Sequence, residues 1–326
     1  MKFLITGGSG FVGNSFSIEL LKKYRGKDNS FIFIVRNRKL VFLDQFSDLD
    51  IKVVKADISN KNEIKNYFKN VDYVFHLAAK VDYGAIDVKS YYAVNEGGTK
   101  NILDLCYSNN VKKVIYLGTA AIYHPMGDEY IREHVKQKNQ ITHYTKSKYN
   151  AHIVVNNFRK KGLQITAILP SSVFGYKAPL FDTFIRDAIK FRIIFLPKKG
   201  GKLSFIMLSV LVKSLITAID DNSSNLDYFV SEKDLSLKEF IEKIEDNLKI
   251  KIFKFFIPNS ILKIFFFGYD FVFKILKIEN FYNYELFKFL SNNFLVENTM
   301  NKLVKNYDCD EFDKEFDRVI TKYKIV

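Results

Sequence analysis

Lys2-Phe3-Leu4-Ile5-Thr6-Gly7-Gly8-Ser9-Gly10-Phe11-Val12-Gly13 decides the fold of this chain. Five residues with a β-rich, almost wholly apolar character run straight into a turn with glycines at 7, 10 and 13. An amphipathic stretch, 14–23, follows at once. A glycine turn between strand and helix lets backbone N–H groups approach a pyrophosphate, and the helix N-terminus adds partial positive charge. A glycine-rich turn can also do no more than join a strand to a helix, so its surroundings carry the argument.

Outward from that turn, short apolar runs at 31–35, 52–55, 73–76, 113–117 and 164–169 alternate with helical stretches at 61–68, 92–109 and 144–160. Nearly all-apolar strands separated by helices predict a parallel sheet covered on both faces, a Rossmann-type doubly wound α/β fold. The character changes after Phe174-Gly175, where a smaller, mainly helical C-terminal lobe is expected. The predicted division is a nucleotide-binding domain over 1–175, with the chain returning to it around 203–232, and a substrate lobe over 176–326. The Phe-, Ile- and Lys-dense region 251–290 reads as a helical lobe packing its aromatics inward, with a membrane-surface helix as the alternative.

Composition closes off other classes. At 326 residues with 48% hydrophobic and 26% charged side chains, the chain can bury a core without staples and is neither disordered nor fibrous. Two cysteines, Cys106 and Cys309, form no disulfide framework or metal set, which fits a reducing cytoplasm. The most membrane-like window, 203–219, is interrupted by Lys213 and reads as a strand followed by a helix, so no transmembrane segment is expected. The net charge of +14 forms no basic tail, since residues 251–326 contribute only +2 of it. One basic cluster, Lys22, Lys23, Arg25, Lys27, Arg36, Arg38 and Lys39, is either a solvated face or an anion site. Without zinc spacing, an RNP-like motif or a helix-turn-helix signal, nucleic acid is not an expected partner.

The second strand selects between dinucleotides. NAD-binding folds usually end this strand with an acid that holds the ribose 2′-OH. Here it ends Ile34-Val35-Arg36-Asn37-Arg38, with no acid between Ser30 and Asp44. An arginine at that place can fork around a 2′-phosphate, which favours NADP over NAD; the alternative is an ordinary surface arginine.

Tyr144 and Lys148, four residues apart, share one face of the 144–160 helix. A phenol needs a neighbouring cation to act as a base near neutral pH, and an ammonium one turn away supplies it. Thr119, just past the fifth strand in Gly118-Thr119-Ala120-Ala121, stands where strand carboxyl ends line the crevice. It is either a hydroxyl for a substrate oxygen or a turn-capping side chain.

These residues together resemble the extended short-chain dehydrogenase/reductase family, which includes nucleotide-sugar epimerases and dehydratases and 3β-hydroxysteroid-dehydrogenase-like reductases. The resemblance covers about residues 1–250 well. It rests on the 6–13 turn, Ala56-Asp57-Ile58, His76-Leu77-Ala78-Ala79, Asn95-Glu96-Gly97-Gly98-Thr99 and the Thr119, Tyr144, Lys148 set. It implies cofactor contacts from Gly7, Gly10, Phe11, Val12, Gly13, Arg36, Asp57, Ile58, Leu77, Ala78, Ala79, Lys80, Tyr144, Lys148, Pro170 and Ser171. On the substrate side it implies Asn95, which would position backbone or substrate near the crevice, with Thr119, Ala120 and Ser172, and it implies no metal. The catalytic set would be Thr119, Tyr144 and Lys148, moving a proton while hydride passes between nicotinamide C4 and a carbon bearing oxygen. His76 reads as a packed strand histidine, and His124 and His143 as surface or satisfied ones.

Two departures bear on the substrate. Where nucleotide-sugar members often carry an arginine and then a late aspartate, this chain reads Leu203-Ser204-Phe205-Ile206-Met207-Leu208-Ser209-Val210. Lys202 or Lys177 would have to take over any diphosphate contact. The expected activity is an NADP-leaning reductase, epimerase or dehydratase acting on a nucleotide-linked sugar. The alternatives are a carbonyl reductase for a larger apolar ketone, a catalytically silent dinucleotide sensor and a membrane-associated structural role. By the same resemblance, the helices at 92–109 and 144–160 would pair two copies into a homodimer.

Overall fold

The apolar runs become strands whose alternate residues feed opposite layers of the core. In β1 (Lys2–Thr6), Phe3 and Ile5 point to one side of the sheet and Leu4 to the other, as the two-residue side-chain period requires. The same alternation holds in β2 (Ser30–Val35), where Phe31 and Phe33 oppose Ile32 and Ile34. With β3 (Asp50–Lys55), β4 (Tyr73–His76), β5 (Lys113–Leu117) and β6 (Ile165–Pro170), every neighbouring pair is parallel. The computed structural model describes residues 1–26, 28–37, 39–81, 87–123, 128–132, 142–221, 225–276, 283–299, 302 and 311–325.

A seventh parallel strand, β10 (Asp227–Val230), completes the order β10-β6-β5-β4-β1-β2-β3. Helices Phe11–Tyr24 and Leu208–Thr217 cover the face holding Phe3, Ile5, Phe33 and Phe75. Helices Thr99–Ser108 and His143–Lys160 cover the face holding Leu4, Val74 and Val114. Strand order reverses at β1, so the crevice lies outside the carboxyl ends of β1 and β4, where the glycine turn emerges.

Two predicted helices are less regular than the pattern suggested. The 61–68 stretch is a short helix, Lys61–Ile64, continued by a 3₁₀ turn, Lys65–Tyr67. The 92–109 stretch opens as a π-helix, Tyr92–Gly98, and becomes α-helical only from Thr99. Gly97-Gly98 weakens the regular ladder there, and Gly98 is wedged against Ile58, whose Cδ1 lies 2.7 Å from where a Cβ would stand.

Past β6 the chain builds a second lobe. β7 (Ser172–Phe174) runs parallel to β9 (Lys202–Met207), and β11 (Lys233–Ser236) runs antiparallel on its other edge. Phe174, Phe181, Phe205, Phe240 and Phe316 form its aromatic centre, with Phe174 stacked on Phe316 at 4.9 Å. The 203–219 window is a strand and then a helix, and among the described residues no helix is long and apolar enough to cross a membrane.

The inward packing expected of 251–290 fails over much of 253–276. β8 (Ile193–Pro197) and β12 (Phe253–Ile257) make a separate two-stranded parallel ribbon, followed by helix Asn259–Leu276. Much of the aromatic and aliphatic surface of this unit faces outward, including Phe265, Phe267 and Phe271. In the helical pattern of the sequence, Lys263, Asp270 and Lys274 make only a narrow charged strip, with apolar residues on both sides of it, so the pattern does not say which apolar side faces the core.

The basic cluster divides. Lys22, Lys23 and Arg25 pair with Glu19, Asp220 and Asp48 as a solvated face, whereas Arg36 is exposed just past β2. Lys27 and Arg38 lie outside the described residues, as do Cys309 and His124. Cys106 is buried, which pushes its thiol up and leaves it inert.

Candidate active site

The glycine turn is held open by geometry that only glycine satisfies. Gly7 has φ +77°, and a Cβ on Gly13 would stand 2.0 Å from the Gly7 carbonyl oxygen. The Gly10 amide donates to the Gly7 carbonyl at 3.0 Å, so the chain folds back on itself before helix Phe11–Tyr24 begins. Gly10 caps that helix without a side chain, and its first turn holds no acid. The amides of Phe11, Val12 and Gly13 thus belong to an uncapped, electropositive helix start, which suits a pyrophosphate.

Beneath the turn runs a buried relay. The Ala78 amide donates to Thr6 Oγ1 at 3.3 Å, and Thr6 Oγ1 meets His76 Nδ1 at 2.8 Å. His76 Nε2 meets Thr99 Oγ1 at 2.9 Å, and Thr99 donates onward to the Asn95 carbonyl at 2.5 Å. Because Thr99 spends its proton on Asn95, it accepts from His76. The imidazole therefore carries its proton on Nε2 and accepts from Thr6 at Nδ1. Burial, reinforced by the charge of Lys148, pushes His76 down to about 3 and keeps it neutral as this relay requires. His76 is a structural histidine that pins Leu77, Ala78 and Ala79 beside the glycine turn.

Asn95 acts on the same segment. Its Oδ1 accepts from the Lys80 amide at 2.8 Å, while Nδ2 donates to the Lys80 carbonyl at 3.1 Å and to Ser147 Oγ at 2.9 Å. Ser147 in turn donates to the Tyr144 carbonyl at 2.8 Å. The carboxamide is 1% exposed and its hydrogen bonds are saturated by Lys80 and Ser147, so Asn95 holds the Lys80 backbone against the helix that bears Tyr144 and Lys148. Ser147 is a residue the sequence reading missed. Only its place between Tyr144 and Lys148 hinted at a role.

Helix His143–Lys160 starts at a reciprocal cap in which Thr142 Oγ1 accepts from the Thr145 amide at 3.0 Å and Thr145 Oγ1 accepts from the Thr142 amide at 3.2 Å. That fixes Tyr144 one residue into the helix. Tyr144, Lys148 and Thr119 are all buried. Desolvation raises the Tyr144 phenol to about 12, opposed by a hydrogen bond with Thr119. Thr119 also accepts from the Ala121 amide at 3.2 Å, which fixes its rotamer, and Ala120 is wholly buried beside it. Lys148 Nζ donates to the Leu117 carbonyl at 3.0 Å and lies 4.6 Å from the centre of the Tyr116 ring. Desolvation lowers it to about 7.

The remaining candidates fall into two groups. Pro170, Ser171 and Ser172 are buried at the carboxyl end of β6, and the two serine hydroxyls have no hydrogen-bond partner among the described residues. Asp57, just past β3, turns its carboxylate to the Ser59 amide and hydroxyl, and Ile58 packs under Gly98. By contrast, Leu203 is fully buried in β9 and Val210 packs between the two cores, so that apolar pair is built into the fold. Lys202 lies by Asn293 and Glu239, and Lys177 by Tyr323 and Tyr176. His143 is engaged by Tyr92, at 3.2 Å.

The family model for the 3-beta hydroxysteroid dehydrogenase/isomerase family matches residues 4–219, from the first strand through the helix that backs the glycine turn. The chain belongs to that family. Within the wider extended short-chain dehydrogenase/reductase group, relatives include a dTDP-D-glucose 4,6-dehydratase of Dictyostelium discoideum, 27% identical over 54% of this chain and 44% of its own length. A 3beta-hydroxysteroid-dehydrogenase/decarboxylase of Arabidopsis thaliana is 28% identical over 53% of this chain and 41% of its own length. The chain spans about half the length, or less, of these curated relatives. Among solved structures, the dTDP-glucose 4,6-dehydratase of Bacillus anthracis, in complex with NAD, superposes with TM-score 0.76 at 16% identity, covering 100% of this chain and 97% of that one. A UDP-N-acetylglucosamine 4-epimerase of Methanobrevibacter ruminantium gives 0.77 at 19% identity, covering 99% and 98%. At those identities the likeness establishes the shared fold, second lobe included.

Proposed function

We propose that this family member is a nicotinamide-dependent oxidoreductase of the epimerase/dehydratase type, acting at a carbinol or keto carbon of a nucleotide-linked sugar and preferring NADP to NAD. The observation that carries the reading is the buried hydrogen bond between Tyr144 and Thr119, with Lys148 one turn along the same helix. The cofactor fit rests on the cradle at Gly7 and Gly13 and on the unpartnered hydroxyls of Ser171 and Ser172. Arg36, exposed two residues beyond the β2 partner of Thr6, supports the choice of a 2′-phosphate.

A bound nicotinamide supplies or accepts the hydride. Tyr144 gives the proton to the substrate oxygen on reduction, or takes it on oxidation, and Thr119 holds that same oxygen. A phenol at about 12 lies ~7 kcal/mol from balance at neutral pH. A protonated Lys148 in this dry site lowers that difference by favouring phenolate. A second reading, reduction of a larger apolar ketone, is favoured by the fully buried Leu203, an apolar side chain where nucleotide-sugar members often carry an arginine.

Fluorescence titration with NADPH and NADH, wild type beside Arg36→Ala, tests the cofactor. NADPH affinity should fall ~10–100-fold in the variant with NADH affinity unchanged. A preference for NADH, or indifference to the substitution, overturns the 2′-phosphate assignment. Turnover on keto-sugar nucleotides against steroid ketones separates the two substrate classes. Tyr144→Phe should abolish turnover while NADPH still binds; no turnover in wild type on either class would leave a silent dinucleotide sensor.

A further inference from the structure

Outside the crevice, one surface breaks the ordinary rule of strands and helices. In β8, Ile194 and Leu196 face the core, but Ile193 and Phe195 on the opposite face are also apolar. Register pairs them with Phe253 and Phe255 of β12, and the Phe195 and Phe255 rings lie 5.7 Å apart. The outer face of the ribbon is therefore apolar and solvent-exposed, while Lys254, paired with Glu245, lies on the other face beside Ile194.

Helix Asn259–Leu276 extends this platform. Its outward residues, Ile261, Ile264, Phe265, Phe271, Val272 and Ile275, fall at three- and four-residue intervals, a complete apolar stripe turned away from the protein. Its inner side is already occupied, since Phe266 stacks on Phe287 at 5.4 Å and Leu262 is buried. Phe195, Phe253, Phe255, Phe265, Phe267 and Phe271 are between 49% and 64% exposed. At ~200 Å² per ring these six alone leave ~700 Å², above the ~300–600 Å² of the largest patch on a typical monomer.

Charge identifies the occupant. Exposed Lys190, Arg192, Lys198, Lys199, Lys251 and Lys263 belong to the platform's segments, and 190–200 and 251–276 contain a single acid, Asp270. A two-fold interface would bring this patch against itself, basic residues against basic residues. An apolar stripe among lysines matches instead a surface that is anionic at its headgroups and apolar beneath, entered roughly 5–10 Å deep without crossing.

We propose that the β8–β12 ribbon and helix Asn259–Leu276 dock this protein on an anionic lipid bilayer. The inference goes beyond the hydride chemistry and does not depend on it. It also gives the platform a line to the crevice. The helix Tyr284–Leu290 beneath it carries Glu285, whose Oε1 accepts from the amide of His143, next to Tyr144, at 3.3 Å.

The test is co-sedimentation of the full chain with vesicles of phosphatidylcholine alone and of equal parts phosphatidylcholine and phosphatidylglycerol. Wild type should bind the anionic vesicles at least ~10-fold more tightly, with binding weakened by added salt. Ile264→Glu with Phe265→Glu should lower that binding by at least ~10-fold. An unchanged far-UV circular dichroism spectrum and melting temperature show that the variant is folded. If it does not fold, Lys190→Glu with Lys263→Glu, which leaves every ring in place, should give the same loss. Wild type that sediments with neither vesicle, or variants that bind like wild type, overturn the proposal. So does a wild-type dimer by light scattering that the double variant dissolves without any vesicle binding, because a second copy then covers the face.

Discussion

Replacing Lys148 by methionine should make the cofactor-free protein more stable while abolishing turnover. Lowering an ammonium from 10.5 to about 7 corresponds to ~5 kcal/mol of burial cost at acidic pH. Methionine has a similar length and no charge to desolvate, but it takes a donor from the Leu117 carbonyl, which costs ~1–3 kcal/mol. A net gain of ~2–4 kcal/mol at pH 6 follows. The sign with pH is fixed by linkage. The folded-state value lies below the unfolded one, so the cost is fully present below pH 7 and disappears as pH rises from about 7 to 10.5. At pH 10 the variant should have lost most or all of its advantage. Urea unfolding followed by far-UV circular dichroism suits a chain with no tryptophan. A variant less stable than wild type at pH 6, or a gap of the same size at both pH values, would refute the idea that Lys148 is held in the crevice at the expense of stability.

Three further outcomes follow from the site. Gly13→Ala places a Cβ 2.0 Å from the Gly7 carbonyl, and NADPH titration should show binding lost, with thermal melting lowered by ~1–3 kcal/mol of stability. Asn95→Leu removes three buried hydrogen bonds to Lys80 and Ser147, for ~3 kcal/mol by chemical denaturation and a fall in turnover through displaced Tyr144. Because His76 sits at about 3 in the folded state and near 6.5 unfolded, wild-type stability should decline as pH falls from 6.5 toward 3, by up to ~5 kcal/mol from this residue. His76→Gln, which cannot take up that proton, should flatten the acid limb of a stability–pH curve.

The parts of this molecule that repeat locally could be read directly. Strand runs such as Phe31–Ile34 and the Gly7, Gly10, Gly13 spacing carry their structure within a few residues, and the parallel order followed from their alternation with helices. The spacing of Tyr144 and Lys148 placed both on one helical face, but their burial, which sets both proton affinities, comes from the fold around them. The relay through Thr6, His76 and Thr99 bonds pairs 70 and 23 positions apart, so no window contains it. Asn95 reads in the sequence as positioning either backbone or substrate, and only the fold, which brings Lys80 and Ser147 onto it from different segments, shows the backbone contact. The Phe-rich helix failed for another reason: its sequence carries a narrow charged strip of Lys263, Asp270 and Lys274 between two apolar flanks, and only the fold shows which flank packs inward.

The last strand of the sheet has a consequence for how this protein can be cut and how its lobes can change. The family match ends at residue 219, but β10 begins at Asp227 and completes the sheet, its partner β6 being buried at every position. The Ala167 and Ser171 amides donate to Leu226 and Val230, and Asp227 is clasped by Arg159 at 2.8 Å and His152 at 3.0 Å. A fragment ending at 219 would expose β6 as a long apolar edge, a template for aggregation. The 172–207 part of the second lobe, β7 to β9, is thus an excursion held at one end by β6 and at the other by the Leu208–Thr217 helix and β10. Its lining residues can be exchanged, but cutting it out takes away the connection between β6 and β10, two neighbours in one sheet.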